Sequence, residues 1–118
     1  MTCNILGTVY TVEYLAYKDD PLFEKRGIVG YQDSIAKRLV VCLASSHPEY
    51  EDETEETQRQ VERETLRHEI VHAFLEESGL SASAASSMGP WSKNEEMVDW
   101  IALQAPKMLK AFEETGCL

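Results

Sequence analysis

Residues 66–75 read LRHEIVHAFL, and within them His68, Glu69 and His72 form the pattern HExxH. The two histidines are four residues apart, which is one turn of an α-helix, so both rings lie on the same helix face. Two imidazoles at this spacing can reach one metal ion, and the glutamate then lies beside the open coordination position of that ion. The stretch therefore predicts a helix that carries a metal site.

The residues around this pattern predict a long helix over residues 49–79, which starts somewhere between Pro48 and Glu56. Asp52, followed by Glu55 three residues later, resembles a capping box at the helix start. Gly79 can take the left-handed conformation that commonly follows the last turn of a helix. Apolar residues recur at helical spacing around the histidines, so we expect the metal-bearing part of this helix to be buried.

The N-terminal part, residues 1–46, is predicted to form a small sheet. Three segments are rich in β-branched, aromatic or continuous apolar residues and are interpreted as strands, at residues 4–17, 27–31 and 35–44. Turn-forming residues between them favour a three-stranded, largely antiparallel sheet. We expect an α+β fold in one domain over residues 1–118, with this sheet packed on the long helix and on a C-terminal helix.

The C-terminal part is predicted to contain a loop and a second helix. Residues 80–91 are small and polar, which indicates a flexible loop that could contribute to a cleft or close over it. The helix is predicted over residues 92–115, beginning at Ser92. Pro106 lies within that range, and proline in a helix interior predicts a kink or a restart at this point.

Composition and charge narrow the classes of function. The chain has 118 residues and a formal net charge of −10, from 21 acidic and 11 basic residues, so it repels the phosphates of nucleic acids. No apolar run approaches 18 residues, which argues against a membrane span, and no signal peptide is recognisable. The three cysteines have no paired spacing, so we expect a reduced, cytoplasmic protein. The oligomeric state is left open by the sequence.

A catalytic zinc site needs three protein ligands and one water, so a third ligand is required. Glu95, Glu96 and His47 are the candidates. We favour Glu95 because it shares a helix face with Val98 and Ala102, which should point inward.

Two further residues bear on this choice. Asp99 lies one turn after Glu95 and could accept the second ring N–H of a metal-binding histidine, which would fix the tautomer of that ring. An alternative interpretation is that Ser92 and Glu95 form a capping box, in which the glutamate bonds only to the serine backbone.

The two motifs together resemble the gluzincins, the thermolysin-like zinc peptidases whose pattern is HExxH followed by NExxxD on a later helix. This chain has HEIVH at residues 68–72 and NEEMVD at residues 94–99. Its size is similar to that of the minigluzincins, and the run from Glu95 to Pro106 is similar to phage and mobile-element anti-repressor peptidases of the ImmA/IrrE type. The resemblance implies a minimal zincin fold with a Zn²⁺ cofactor. It also implies ligands and a general base at these positions: His68, His72 and Glu95 as ligands, Glu69 as base, and Asp99 as the partner of a histidine.

The predicted function is hydrolysis of peptide bonds by a zinc metalloendopeptidase. A zinc-activated water would attack the scissile carbonyl, with Glu69 as the general base. An extended peptide or protein substrate would add to an exposed edge of the sheet. Larger gluzincins stabilise the oxyanion with a downstream histidine or tyrosine, which this chain lacks. The tyrosines that remain for this role lie upstream: Tyr10, Tyr14, Tyr17, Tyr31 and Tyr50.

Two alternatives remain open at this point. The first is a non-catalytic or latent zinc-binding module that binds a regulatory protein partner. The second is a metal-free helical scaffold in which HExxH occurs by chance.

Overall fold

The computed structural model describes residues 1–81 and 89–118. Within these ranges it contains four strands and three α-helices, in the order β1 (Thr2–Ile5), β2 (Thr8–Leu15), α1 (Pro21–Arg26), β3 (Gly30–Asp33), β4 (Arg38–Cys42), α2 (Glu55–Glu77) and α3 (Glu95–Thr115). The predicted α+β class is confirmed. Most of the predicted flexible loop over residues 80–91, namely residues 82–88, lies outside the described residues.

The sheet has four strands in the order β1-β2-β4-β3, so the prediction of three strands was wrong. The β1–β2 and β3–β4 pairs are antiparallel, whereas the central β2–β4 pair is parallel. The predicted strand over residues 4–17 contains a two-residue hairpin turn, in which Leu6 and Gly7 both have positive φ, at 51° and 91°. Turns of this kind usually contain Asn-Gly or Asp-Gly. Because this one has leucine in the first position, it was not predicted.

Strand β4 is buried on both faces of the sheet, which explains its continuous apolar sequence. Leu39 packs on the α2 side, in a cluster that includes Ile5 and Tyr10. Val40 and Cys42 point to the opposite side and join a second cluster with the α1 side chain Phe23.

Helix α2 begins at Glu55, six residues after residue 49 and within the predicted range of starts from Pro48 to Glu56. The N-cap is Thr54, whose side-chain oxygen accepts from the N–H of Thr57 at 3.2 Å. The predicted capping box at Asp52 does not form because this residue lies in the turns that precede the helix. The helix ends at Glu77, close to the predicted boundary.

Helix α3 begins at Glu95, three residues after the predicted start, because Ser92 belongs to a 3₁₀ turn at Trp91–Lys93. The N-cap is Asn94, whose Oδ1 accepts from the Met97 N–H at 3.0 Å. The helix continues through Pro106 to Thr115, so the end was predicted correctly and the restart at the proline was not.

Gly30 allows α2 to lie against the edge strand β3. A Cβ added at this glycine would lie 2.5 Å from Cγ2 of Thr65 and 2.8 Å from the carbonyl oxygen of Val40. Real Cβ atoms do not come this close to other atoms, so any larger residue would push the helix away from the strand. Because Thr65 lies one turn before Glu69, this contact places the HExxH segment beside the β3 edge.

Candidate metal centre

Each histidine of the motif is oriented through its Nδ1 atom. Nδ1 of His72 lies 2.6 Å from the carbonyl oxygen of Ser92, and Nδ1 of His68 lies 2.6 Å from Oδ1 of Asp99. Carbonyl and carboxylate oxygens only accept hydrogen bonds. Both Nδ1 atoms therefore carry the proton and donate it in these bonds. In the neutral rings, the lone pair is therefore on Nε2.

The two Nε2 atoms face each other and the Glu95 carboxylate. The Nε2 atoms of His68 and His72 are 3.0 Å apart. Oε2 of Glu95 lies 3.1 Å from the first and Oε1 lies 3.1 Å from the second. Hydrogen-bond acceptors at such distances repel one another unless a proton or a metal cation lies between them. This geometry could hold a metal ion, and a proton on one of the rings would also bridge these groups.

Glu69 lies beside these atoms and is almost fully buried, at 6% exposure. Its carboxylate and the ring nitrogens of His68 and His72 include ligand atoms within 4.8 Å of one another, a group that could hold a metal ion. Burial raises the pKa of Glu69 to about 7. A protonated His68 ring would oppose this shift, whereas the carboxylates of Glu95 and Asp99 add to it.

The alternative third ligands lie elsewhere. His47 is buried, its Nδ1 accepts from the Glu49 N–H at 3.1 Å, and its ring contacts those of Tyr17 and Tyr50. These contacts are those of a structural histidine. Glu96 is exposed and makes no hydrogen bond or ion pair with the described part of the chain.

The capping-box interpretation of Ser92 and Glu95 is wrong, because Asn94 is the cap and the Glu95 carboxylate faces the two histidines. Ser92 contributes its backbone carbonyl to the orientation of His72, and its own Oγ is buried without a partner among the described residues. The sequence carried no signal for this role because every residue has a backbone carbonyl.

The centre opens into a cleft with two parts that meet at His68 and Glu69. The larger part, of about 550 Å³, extends along α2 toward Tyr50, and the smaller part, of about 290 Å³, reaches Tyr31 and Lys93. Both parts are bordered by β3 or by the residues just before it. The cleft therefore runs along the β3 edge of the described sheet and across the candidate metal centre.

Comparisons with known proteins yielded no relative: no family model matches the chain, and no curated protein or solved structure does. Within residues 1–81 and 89–118, none of the helices combines the length and the apolar character that crossing a membrane requires.

Proposed function

We propose that this protein is a zinc-dependent metallopeptidase, with His68, His72 and Glu95 as the zinc ligands. The observation that carries the proposal is the convergence of the Glu95 carboxylate and the two Nε2 atoms at 3.0–3.1 Å, all of which are acceptors when the rings are neutral. Such an arrangement is unfavourable without a cation and well suited to one.

The donor set supports zinc over other divalent ions. Two imidazole nitrogens and one carboxylate oxygen form the ligand set of several catalytic zinc sites, in which the fourth position is open. A tetrahedral zinc with bonds of about 2.0–2.1 Å separates its ligand atoms by about 3.3 Å, close to the distances between these groups. Calcium and magnesium prefer ligand sets made of oxygen atoms only.

Glu69 is placed to act as the general base. Zinc bound at this centre would supply a Lewis acid that lowers the pKa of a bound water and polarises the scissile carbonyl. Glu69 adjoins His68 and His72 in this centre, so its carboxylate could accept a proton from the attacking water and then deliver it to the leaving amine. Because the side chain is buried, the proton is exchanged within a site of low polarity.

Strand β3 supports an extended peptide as the substrate. It pairs with β4 on one side and forms the edge of the described sheet on the other. Main-chain groups at such an edge can bind a peptide in an extended conformation with little dependence on its sequence. The Gly30 contact brings this edge next to Glu69, so a peptide bound along β3 would cross the proposed zinc site.

Tyr50 is our candidate for stabilising the oxyanion. Of the five tyrosines, Tyr31 and Tyr50 line the cleft. The Tyr31 hydroxyl donates to Asp20 at 2.6 Å and accepts from Arg38 at 3.1 Å, so it is already engaged. The Tyr50 hydroxyl has no hydrogen-bond partner in the described part of the chain, so it is available to a substrate.

A zinc-binding module without catalytic activity is the alternative, and it would bind a regulatory protein partner through the same cleft. It is favoured by the sequence that follows His72, which contains no histidine or tyrosine that could stabilise an oxyanion. We also propose a reducing compartment, the cytoplasm, because Cys3, Cys42 and Cys117 are all free thiols.

The first experiment measures bound zinc by elemental analysis in the wild type, in Glu95→Ala and in the matched control Glu96→Ala. We expect about one zinc per chain in the wild type and in the control, and a strong loss in Glu95→Ala, because a catalytic site has three protein ligands. Retention of zinc by Glu95→Ala would contradict the proposed ligand set. Absence of zinc from the wild type after zinc is supplied would overturn the metallopeptidase.

The second experiment separates the enzyme from the zinc-binding module. Zinc-loaded wild type and Glu69→Gln are incubated with unfolded protein substrates, and new N-termini are counted. We expect cleavage by the wild type and zinc-loaded but inactive Glu69→Gln. Equal peptide release by both proteins would exclude Glu69 as the base, and no release by the wild type would favour the module.

A further inference from the structure

Pro106 lies inside α3 without ending it. Proline has no backbone N–H, so it cannot donate the helical hydrogen bond to the carbonyl four residues earlier. That carbonyl belongs to Ala102, which is buried at 5% exposure. Helix α3 therefore has, at a buried residue, a carbonyl oxygen whose helical donor is missing.

Arg67 of α2 supplies a donor from the neighbouring helix. Its Nε donates to the carbonyl oxygen of Ala102 at 3.3 Å. Arg67 directly precedes His68, and Ala102 follows Asp99 by about one turn, so this bond lies next to the contact between His68 and Asp99. The contacts progress in opposite chain directions, so the two helices run antiparallel here.

The contact between α3 and the rest of the protein is short. Its buried side chains are Val98 and Ala102, and residues 105–118 are exposed. A shift of one residue along a helix moves its side chains by about 1.5 Å, which would remove Glu95 from its position 3.1 Å from both histidines. With so few buried side chains, a polar contact between α2 and α3 can help to set this register.

We propose that Arg67 is a positioning residue that holds α3 in the register of the metal site through the carbonyl freed by Pro106. This inference rests on the proposed function, because it assigns a role to Arg67 in placing the ligand Glu95. The competing explanation is electrostatic. A guanidinium next to a bound cation repels it, so in that case removing Arg67 would strengthen zinc binding.

The test compares zinc affinity in the wild type, Arg67→Met and Arg63→Met by competition with a chromophoric chelator. Methionine keeps an unbranched side chain but has no donor. We expect Arg67→Met to bind zinc about tenfold more weakly, as is typical when a residue that supports a metal ligand is lost. Arg63 carries the same charge about one turn earlier and bonds Gln60 on its own helix, so Arg63→Met should bind like the wild type.

A second pair of variants tests whether Arg67 acts through the freed carbonyl. Pro106→Ala restores an N–H to the helix, so the Ala102 carbonyl regains its helical donor. Adding Arg67→Met to Pro106→Ala should then weaken zinc binding by a smaller factor than in the wild-type background. Equal factors in both backgrounds would overturn the role of Pro106, and unchanged or tighter binding by Arg67→Met would overturn the proposal.

Two controls keep these outcomes interpretable. Thermal unfolding of the metal-free proteins shows whether Arg67→Met is folded. If Arg67→Met is unfolded, Pro106→Ala is the deciding variant. Its new N–H should compete with Arg67 for the Ala102 carbonyl and weaken zinc binding, and unchanged affinity would contradict the proposal. Cobalt-loaded samples report ligand geometry by visible absorption, and we expect lower intensity in Arg67→Met. A wild type that binds neither metal would overturn both this inference and the proposed function.

Discussion

Two glutamates on α2, Glu69 and Glu77, occupy opposite environments only about two turns apart. Glu77 accepts hydrogen bonds from the Tyr10 hydroxyl at 2.7 Å, the Thr8 hydroxyl at 3.0 Å and the Lys37 ammonium at 2.6 Å. The bond from Lys37 is the largest of several causes that lower the pKa of Glu77. Glu69 is buried beside acidic groups, and its pKa is raised to about 7.

The comparison teaches that the neighbours, and not the residue type, decide what a carboxylate does. Three donors satisfy the charge of Glu77, so this residue fastens the end of α2 to the sheet. Glu69 has no such donors within the described residues, and its charged form is destabilised by burial. Glu77 is therefore held in its charged form, whereas burial of Glu69 favours its protonated form, which suits the proton transfer that we propose.

The largest expected difference between them is in turnover. We expect Glu69→Gln to lower the rate of peptide cleavage by about 10²–10⁴-fold, because it removes the general base. Glu77→Gln should cleave at nearly the wild-type rate, measured at a temperature where it remains folded. Equal loss of activity in both variants, with zinc still bound, would contradict the difference in role between Glu69 and Glu77.

The next largest expected effect is on the free energy of unfolding of the metal-free protein, which should depend on pH. Folding raises the pKa of Glu69 from its ordinary value of 4.5 to about 7. Between these values the folded chain binds more protons than the unfolded chain, so this group lowers the free energy of unfolding as pH rises. Glutamine does not ionise, so at pH values above the raised pKa Glu69→Gln should be more stable than the wild type by about 3 kcal/mol.

Urea denaturation in the presence of a chelator, at about pH 4 and about pH 8, measures this difference. The advantage of Glu69→Gln should appear at the higher pH and vanish at the lower one, where the glutamate is protonated in both states. An advantage that is independent of pH would show that burial of the charge is not its cause.

The side chains that meet in the candidate metal centre were easier to predict from the sequence than the sheet. His68, His72, Glu95 and Asp99 all lie on helices, where spacing of three or four residues fixes which side chains share a face. The structure accordingly brings these four residues together. The HExxH pattern also predicted the position of Glu69, although its pKa depends on residues far away in the sequence.

Features that depend on the backbone or on unusual turns could not be predicted. A turn at Leu6 divides one predicted strand into two. The turn was not predicted because leucine rarely has a positive φ. The backbone carbonyl of Ser92 orients His72, and no side chain in the sequence indicates this role. Pro106 was expected to interrupt α3, and a contact from Arg67 satisfies the carbonyl that the proline leaves without a donor.

A smaller effect concerns the groups that orient the histidines. Asp99→Ala removes the acceptor for Nδ1 of His68 and should weaken zinc binding by about 10–100-fold. Ser92→Ala is the matched control, because the carbonyl that accepts from His72 belongs to the backbone and remains. Zinc titration should show normal affinity for Ser92→Ala, and a similar loss in both variants would mean that the serine hydroxyl contributes to the site.

The smallest effect should come from Glu77 and should have the opposite pH dependence to that of Glu69. Because folding lowers the pKa of Glu77, the stability that it provides is present above its ordinary pKa and is lost as pH falls through the lowered value. Glu77→Gln should therefore melt several degrees below the wild type at neutral pH, and this difference should shrink in acid. Tyr10→Phe, which removes one of the three donors, should shift the melting temperature in the same direction by less. Zinc affinity should be unchanged in both variants, since the contacts of Glu77 are made with the sheet and with Lys37, away from the ligands. A loss of zinc from Glu77→Gln would mean that the two ends of the helix are coupled, and that the division between a structural and a reactive carboxylate is incorrect.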